Sequence, residues 1–159
     1  MVEAVYRHLE IHRQRSGLTL PELARLAETI VTEARRHDLD PGLVLAVMHV
    51  ESRFNAFAVS SKDALGLMQI LPSTGEWLAG NLGIQWKGPQ TLFDPIVNTR
   101  LGVAYLRQLT DRYGSLDTAL SAYNWGPGRI DRRLRRGVPL PTEYAQLVRT
   151  AYGTTGRSS

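Results

Sequence analysis

Hydrophobic residues recur at intervals of three and four along most of the chain, a pattern that predicts a mostly α-helical protein. Residues 19–22, TLPE, form a capping box, and apolar side chains follow at helical spacing as far as His37. Asp40-Pro41 begins a second helix, with the carboxylate as N-cap and the proline in the first turn. Residues 43–54 of that helix read LVLAVMHVESRF and are apolar almost all round, so we expect this helix at the centre of the core.

The later part of the chain shows the same signals for helix starts and ends. Asp94-Pro95 and Ser115 each precede a periodic apolar run, which predicts two more helix starts. Glycines suited to left-handed helix ends stand at Gly114, Gly137 and Gly153. Residues 55–66, NAFAVSSKDALG, are expected to form a small irregular turn or ribbon, and the tail 154–159, TTGRSS, to be frayed. A chain of 159 residues with this pattern predicts one domain of about seven or eight helices.

Composition narrows the chemistry that this domain can perform. The chain has no cysteine, which excludes disulfides, thiolate metal sites and cysteine nucleophiles. His8 and His12 share a helix face, but no HExxH pattern accompanies them, so we expect a solvated face and no metal site. The net charge of +4 favours anionic partners such as nucleic acid, an acidic membrane surface or a bacterial cell-wall polymer.

The sequence predicts no membrane span, because no run of about 18 apolar residues occurs. The N-terminal stretch MVEAVYRHLEIHRQRSG mixes charges at helical spacing and lacks the continuous apolar segment of a secretory signal. The expectation is either a protein that acts where it is made or a mature or trimmed form.

Glu51 places a carboxyl group at the end of the most apolar predicted helix. Burial disfavours the ionised form and raises the pKa, and the negative end of the helix macrodipole acts in the same direction. A glutamate that stays protonated near neutral pH can act as a general acid toward a glycosidic oxygen. The alternative is that Glu51 faces solvent in the last turn or caps a neighbouring amide.

Two later stretches favour a carbohydrate ligand. In residues 52–74, SRFNAFAVSSKDALGLMQILPST, Gly66 lets the chain bend and Gln69 offers an amide that can donate and accept hydrogen bonds. In residues 121–130, SAYNWGPGRI, aromatic rings at the end of a short helix could pack on sugar faces. The alternative for the second stretch is a helix-ending turn with an aromatic plug.

Four motifs occur in order along the chain: ES-x-F-N-x-x-A-x-S, A-x-GLMQ-x-x-P-x-T, DP-x-x-N-x-x-x-G-x-x-YL and AYN-x-GPG-x-I. Together they resemble the soluble-type lytic transglycosylases, over a match that runs from about Leu39 to Tyr152. The resemblance implies a mostly α, lysozyme-like single domain with a groove for peptidoglycan glycan strands. It implies a catalytic core over residues 39–153, with the N-terminal helices of residues 1–38 packed on it.

The same resemblance implies cleavage of the β-1,4 bond between N-acetylmuramic acid and N-acetylglucosamine. Glu51 falls on the family's single catalytic acid, which protonates the leaving oxygen and then takes a proton from the muramoyl 6-hydroxyl, closing a 1,6-anhydro ring. No water enters, so the two-carboxylate arrangement of most glycosidases is not needed, and no metal or cofactor is expected. A monomer that faces the cell wall, as in a periplasm, is the implied setting.

The match also implies a set of substrate-binding side chains around the acid. They are Ser60, Met68, Gln69, Tyr123, Asn124 and Tyr144. Met68 resembles a residue that lines the groove, and Tyr123 one that lies close to the acid. Asn124 is expected to hold its loop, and Tyr144 to supply a second groove tyrosine from the last helix.

Two departures from the family pattern bear on the reaction. Asp63 stands where relatives commonly have glycine, a position where a left-handed conformation would still tolerate Asp. Its carboxylate leaves a goose-type lysozyme as an alternative, because inverting hydrolysis needs a second carboxylate to activate water. Trp125 replaces a usually small residue and is expected to narrow or extend one sugar subsite.

A nucleic-acid-binding protein is the remaining alternative. Residues 18–27, LTLPELARLA, resemble the opening of a helix-turn-helix, but the next helix is apolar and lacks a polar recognition surface. We therefore expect no nucleic-acid partner. The cluster of arginines in RIDRRLRRG is either a solvated face or a site that attracts peptide-stem carboxylates or acidic wall polymers. Its members are Arg129, Arg132, Arg133, Arg135 and Arg136.

Overall fold

The computed structural model describes residues 1–156. Within that range it contains nine α-helices and one 3-10 helix. The α-helices are α1 (Val2–Ile11), α2 (Arg13–Ser16), α3 (Leu20–Arg36), α4 (Pro41–Ser52), α5 (Pro72–Leu82), α6 (Pro95–Tyr113), α7 (Leu116–Trp125), α8 (Pro127–Arg136) and α9 (Glu143–Gly156). The 3-10 helix, Pro89–Phe93, lies between α5 and α6. The mostly α prediction is confirmed, and the predicted seven or eight helices are too few because the N-terminal segment breaks at His12 into α1 and α2.

Local capping chemistry starts the helices where the sequence predicts. The Thr19 hydroxyl accepts from the Glu22 amide at 3.3 Å, and the Glu22 carboxylate accepts from the Thr19 amide at 2.7 Å, completing the capping box of α3. Asp40, Asp94 and Ser115 cap α4, α6 and α7 through side-chain oxygens. These starts depend on residues within one turn, which is why the sequence alone predicts them.

The predicted helix ends are confirmed at two of the three glycines. Gly114 and Gly137 are left-handed C-caps of α6 and α8. The prediction for Gly153 is wrong, because this residue lies inside α9. The Tyr152 hydroxyl donates to the Asp40 carboxylate at 2.5 Å, which ties this end of α9 to the start of α4. The tail predicted to fray is helical through residue 156, and residues 157–159 lie outside the described residues.

Helix α4 occupies the centre of the core, which explains its almost uniformly apolar sequence. Its side chains from Leu43 to Met48 are buried, four of them completely. α9 and α3 pack directly on α4, while α6 packs on α3 and α7. A helix enclosed on every side has no face left for polar residues except at its ends.

No helix within residues 1–156 combines the length and hydropathy that a bilayer crossing requires.

The prediction that His8 and His12 form a solvated helix face is wrong, because both pack against a buried ring. His12 stacks on the buried Phe54 ring at a centroid distance of 4.6 Å, and His8 meets its edge at 5.5 Å. His49, from α4, approaches the same ring at 5.9 Å. No group of three potential ligands among the described residues has a geometry suited to a metal ion. His8 and His12 are half-buried and therefore serve as aromatic packing against Phe54, while His49 is exposed.

A compact loop replaces regular structure between α4 and α5. Its only regular pairings among the described residues are isolated antiparallel bridges, Val59 with Leu65 and Leu65 with Ile70. This agrees with the irregular ribbon predicted for residues 55–66. Short-range backbone hydrogen bonds shape its turns, but the loop needs further hydrogen bonds from elsewhere to hold it against the helices.

The Asn98 side chain of α6 supplies those hydrogen bonds. Its amide nitrogen donates to the carbonyls of Leu65 at 3.0 Å and Leu92 at 2.8 Å, and its oxygen accepts from the Met68 amide at 2.8 Å. Asn98 is completely buried. At Gly66, whose φ is +80°, an added Cβ would lie 2.3 Å from both the Asn98 amide nitrogen and the Leu92 carbonyl. Glycine is required there for both its conformation and its size.

Replacing Asn98 by alanine should lower the free energy of unfolding by about 2–4 kcal/mol, because three buried backbone groups each lose a hydrogen bond, although the Leu65 carbonyl keeps one from the Ile70 amide. Urea denaturation followed by circular dichroism measures the change. The exposed α5 residue Asn81 provides a matched control, and Asn81→Ala should change stability by less than about 0.5 kcal/mol. A loss below about 1 kcal/mol for Asn98→Ala would contradict this role.

Candidate active site

A cleft of about 590 Å³ opens between the loop after α4 and the corner where α7 meets α8. Its wall combines hydrogen-bonding side chains with aromatic rings, the mixture suited to sugars. The polar and charged side chains are Glu51, Ser60, Ser61, Lys62, Gln69, Thr74, Asn124 and Arg129. The aromatic side chains are Tyr105, Tyr123 and Trp125.

Glu51 is the one carboxyl group among the described residues that line this cleft. It is the penultimate residue of α4, so the apolar helix delivers it to the cleft from the core. Burial raises the pKa of Glu51 from its ordinary value of 4.5 to about 7. A large fraction of the group is therefore protonated at neutral pH, as a general acid requires.

Tyr144, near the start of α9, faces the Glu51 carboxyl from the protein interior. Its contact lowers the pKa of Glu51 and so partly opposes the effect of burial. The Tyr144 hydroxyl is buried and has no hydrogen bond of ordinary geometry with any described residue. Burial and the nearby Glu51 charge raise the pKa of this phenol well above 10, so it remains a neutral potential donor. Tyr144 does not line the cleft, which corrects its prediction as a groove residue.

Two hydroxyl groups attach the loop to the helices around Glu51. The Ser52 hydroxyl contacts the carbonyls of Met48 at 3.1 Å and Leu67 at 2.7 Å. The Tyr123 hydroxyl donates to the Met68 carbonyl at 2.8 Å. Ser52 therefore joins the end of α4 to the loop, and Tyr123 joins the loop to α7.

Met68 lies on the opposite side of the loop backbone from the cleft. Its side chain is completely buried and close to Gly102 of α6, where an added Cβ would come within 2.3 Å of the Met68 sulfur. The prediction that this side chain lines the groove is wrong. Its backbone amide and carbonyl instead bond Asn98 and Tyr123, which fixes the loop beside Glu51.

Ser60 and Gln69 face the cleft with complementary hydrogen-bonding groups. The Ser60 oxygen accepts from the amides of Lys62 at 3.2 Å and Ala64 at 3.0 Å, so its hydroxyl proton is left to donate. Both bonds of the Gln69 amide nitrogen go to backbone carbonyls, at 3.1 and 2.9 Å. Only the Gln69 oxygen remains, so this residue is an acceptor, and the predicted dual role is corrected.

Asn124 is exposed in the cleft wall, and no hydrogen bond fixes its side chain to the described residues. The prediction that it holds the loop is therefore wrong, and Asn98 has that role.

Sequence reasoning also missed Tyr105, whose ring lies 5.4 Å from that of Tyr123 in the cleft. Its position in the DP-x-x-N-x-x-x-G-x-x-YL motif, one turn of α6 beyond Gly102, is the signal that could have found it.

Asp63 adopts the left-handed conformation expected for a residue that replaces glycine, with a φ of 64°. Its side chain is exposed and does not line the cleft. The second carboxylate that hydrolysis would require is thus absent from the described wall of the cleft.

The sequence profile of the Transglycosylase SLT domain family matches residues 28–141. The chain belongs to this family. The SLT-domain protein is 36% identical over 120 residues to the Transglycosylase of Enterobacteria phage PRD1, a match that covers 67% of this chain and 42% of the phage protein. It is 40% identical over 93 residues to a putative soluble lytic murein transglycosylase of Haemophilus influenzae, covering 58% of this chain and 16% of the relative. The chain thus spans less than half the length of these curated relatives.

Solved structures support the fold of the SLT-domain protein. The lytic transglycosylase Slt of Pseudomonas aeruginosa, solved as an inactive mutant with glutamine in place of a glutamate, superposes with a TM-score of 0.72 at 31% identity. The match covers 82% of this chain and 24% of that one. The 70 kDa soluble lytic transglycosylase SLT70 of Escherichia coli shares the fold at 21% identity, with a TM-score of 0.65 over 97% of this chain and 28% of its own. The predicted family and fold class are confirmed.

Replacing Tyr144 by phenylalanine should raise the pKa of Glu51 above about 7, because the change removes a contact that lowers it and leaves burial in place. A ¹³C NMR titration of the Glu51 carboxyl measures the shift. Tyr152→Phe is the matched control, since that hydroxyl bonds Asp40 at the opposite end of α4. An unchanged or lower pKa in Tyr144→Phe would exclude the proposed contact.

Proposed function

We propose that this protein is a peptidoglycan lytic transglycosylase. It cleaves the β-1,4 bond between N-acetylmuramic acid and N-acetylglucosamine, with Glu51 as the single acid and base and a 1,6-anhydromuramoyl end as product. The observation that carries the proposal is the solitary carboxyl group in the cleft wall, with a pKa raised to about 7. The inactive glutamate-to-glutamine form of the P. aeruginosa relative also supports chemistry that depends on one glutamate.

The reaction needs one group that gives a proton and later removes one. Protonated Glu51 donates to the glycosidic oxygen as the bond from that oxygen to the muramoyl C1 breaks. Glu51, now a carboxylate, takes the proton of the 6-hydroxyl, whose oxygen forms a bond to C1 of the same sugar. The net change closes an anhydro ring, releases one sugar hydroxyl and returns Glu51 to its protonated state.

The other cleft side chains bind and orient the glycan. Ser60 donates to a sugar oxygen, and the Gln69 oxygen accepts from a hydroxyl or acetamido N–H. The exposed ring of Trp125 offers a surface for a sugar face, while Asn124 contributes an adaptable polar contact. Two tyrosines support this arrangement. Tyr123 positions the loop, and Tyr144 moderates the pKa of Glu51.

The proposed partner is therefore the peptidoglycan glycan strand, and the proposed place of action faces the cell wall. All side chains of the cleft wall lie within the proposed core, residues 39–153. The preceding segment, residues 1–38, supports that core because α3 packs on both α4 and α6. We propose that this unit acts as a monomer, since a single chain supplies the whole cleft wall described here.

Glu51→Gln should reduce the release of soluble muropeptides from purified sacculi by about 10²–10⁴-fold, because glutamine cannot donate or accept the transferred proton. Mass spectrometry should identify anhydromuramoyl ends in the wild-type digest. Asp63→Asn is the matched control and should keep both the rate and the product. Reducing muramoyl ends, or an equal loss in Asp63→Asn, would instead indicate hydrolysis with Asp63 as the second carboxylate.

The same Glu51→Gln variant should be more stable than the wild type at alkaline pH. The folded-state pKa of about 7 lies above the ordinary 4.5, so the stability contributed by protonated Glu51 is present below pH 4.5 and is lost as the pH rises through 7. Glutamine never becomes charged, so the variant should gain about 1–3 kcal/mol at pH 8.5 and little at pH 4. Urea denaturation at both pH values tests this, and equal differences at the two would contradict burial of the acid.

A further inference from the structure

A second groove, of about 310 Å³, adjoins the cleft at the corner between α7 and α8. We call it the arginine groove, and its walls are Trp125, Arg129, Arg132, Arg133, Arg136 and Val138. Trp125 and Arg129 also line the main cleft. The two concavities therefore meet at these two side chains, so that a branched ligand in the cleft has the groove directly beside it.

The positive charge of the arginine groove is not neutralised by the protein. None of its four arginines forms an ion pair with a carboxylate in residues 1–156. The one acidic residue of α8, Asp131, is engaged by Arg112 and by the Tyr113 hydroxyl, which donates to it at 2.8 Å. The groove thus presents guanidinium groups to whatever enters it.

Helix electrostatics do not explain the arginine that joins the two cavities. Basic residues in the last turn of α8, such as Arg133 and Arg136, are stabilised by the negative end of the macrodipole. Arg129 lies in the first turn, where the positive end of the dipole disfavours a cation. A bound anion at this position would offset that cost.

The Trp125 indole orders two of the guanidinium groups before any ligand binds. Arg133 lies over the ring at 5.0 Å and Arg129 at 5.9 Å, both within the range of cation–π attraction. Arg133 also donates to the Pro139 carbonyl at 2.8 Å. Preordered planar guanidinium groups favour bidentate binding of carboxylates.

From this geometry we infer that the arginine groove binds carboxylates of the peptide stem that branches from the glycan strand in the main cleft. The inference rests on the proposed function, because a peptidoglycan strand is the ligand that would bring carboxylates to this corner. Because the groove shares Trp125 and Arg129 with the cleft, a stem attached to the bound glycan is favoured over a separate anionic polymer. The groove would then make the enzyme prefer strands that carry peptides over bare strands.

The test uses Arg132→Gln, Arg133→Gln and Arg136→Gln together, which replaces none of the side chains that line the main cleft. The substrates are purified glycan strands with peptide stems and the same strands stripped by an amidase. The triple variant should show a KM about tenfold higher on stem-bearing strands, with kcat and the kinetics on stripped strands unchanged. The control for net charge is the simultaneous change to glutamine of three exposed arginines of α2 and α3 that line neither cavity. These are Arg13, Arg15 and Arg25, and their replacement should have no effect.

A binding assay separates failure of this inference from failure of the proposed function. In the Glu51→Gln background, co-sedimentation with intact sacculi should exceed that with stripped sacculi, and the groove variant should abolish the difference. Lysine at the three groove positions should restore it in part, because lysine keeps the charge without the bidentate geometry.

Two results would overturn the inference: equal effects of the groove variant on both substrates, or no effect on either. Absence of anhydromuramoyl products from the wild type on both substrates would instead overturn the proposed function, and the inference with it.

Discussion

The buried amide of Asn98 is the interaction on which the cleft depends. It joins α6 to two backbone groups of the loop after α4 and to one of the 3-10 helix, and so holds that loop as a wall opposite Glu51. The Met68 backbone extends this hydrogen-bond network to α7, because its carbonyl accepts a hydrogen bond from the Tyr123 hydroxyl. Gly66 is part of the same constraint, since any side chain there would displace the amide. The functional wall is therefore rigid although it contains almost no regular structure.

Burial of Glu51 connects the stability of the fold to the proposed chemistry. The apolar surroundings that make α4 a core helix also raise the pKa of Glu51 to about 7, so no separate device is needed to keep the acid protonated. Tyr144 acts in the opposite direction and limits the shift. The carboxylate formed after the first proton transfer thus retains one nearby hydroxyl. A site that must carry both protonation states benefits from this balance more than from complete exclusion of polar groups.

Features that depend on local sequence were predictable, and those that depend on tertiary contacts were not. The capping box at Thr19 and the burial of α4 follow from residues within a few turns, and the structure confirms both. Met68 and Asn124 were misplaced because an apolar or amide side chain beside a motif does not reveal which way it points. Asn98 had a place in a motif but no sequence signal for its three partners, which come from distant segments.

Two charged residues of the cleft wall stand at helix ends where the macrodipole disfavours them. Glu51 adds negative charge near the C-terminus of α4, and Arg129 adds positive charge in the first turn of α8. Several other helices have acidic or hydroxyl caps at their starts and glycine at their ends, although Glu10, Glu33 and Asp111 also place negative charge in the last turn of a helix. Glu51 has an explanation in proton transfer, and Arg129 requires one of its own, which an anionic branch of the substrate would provide.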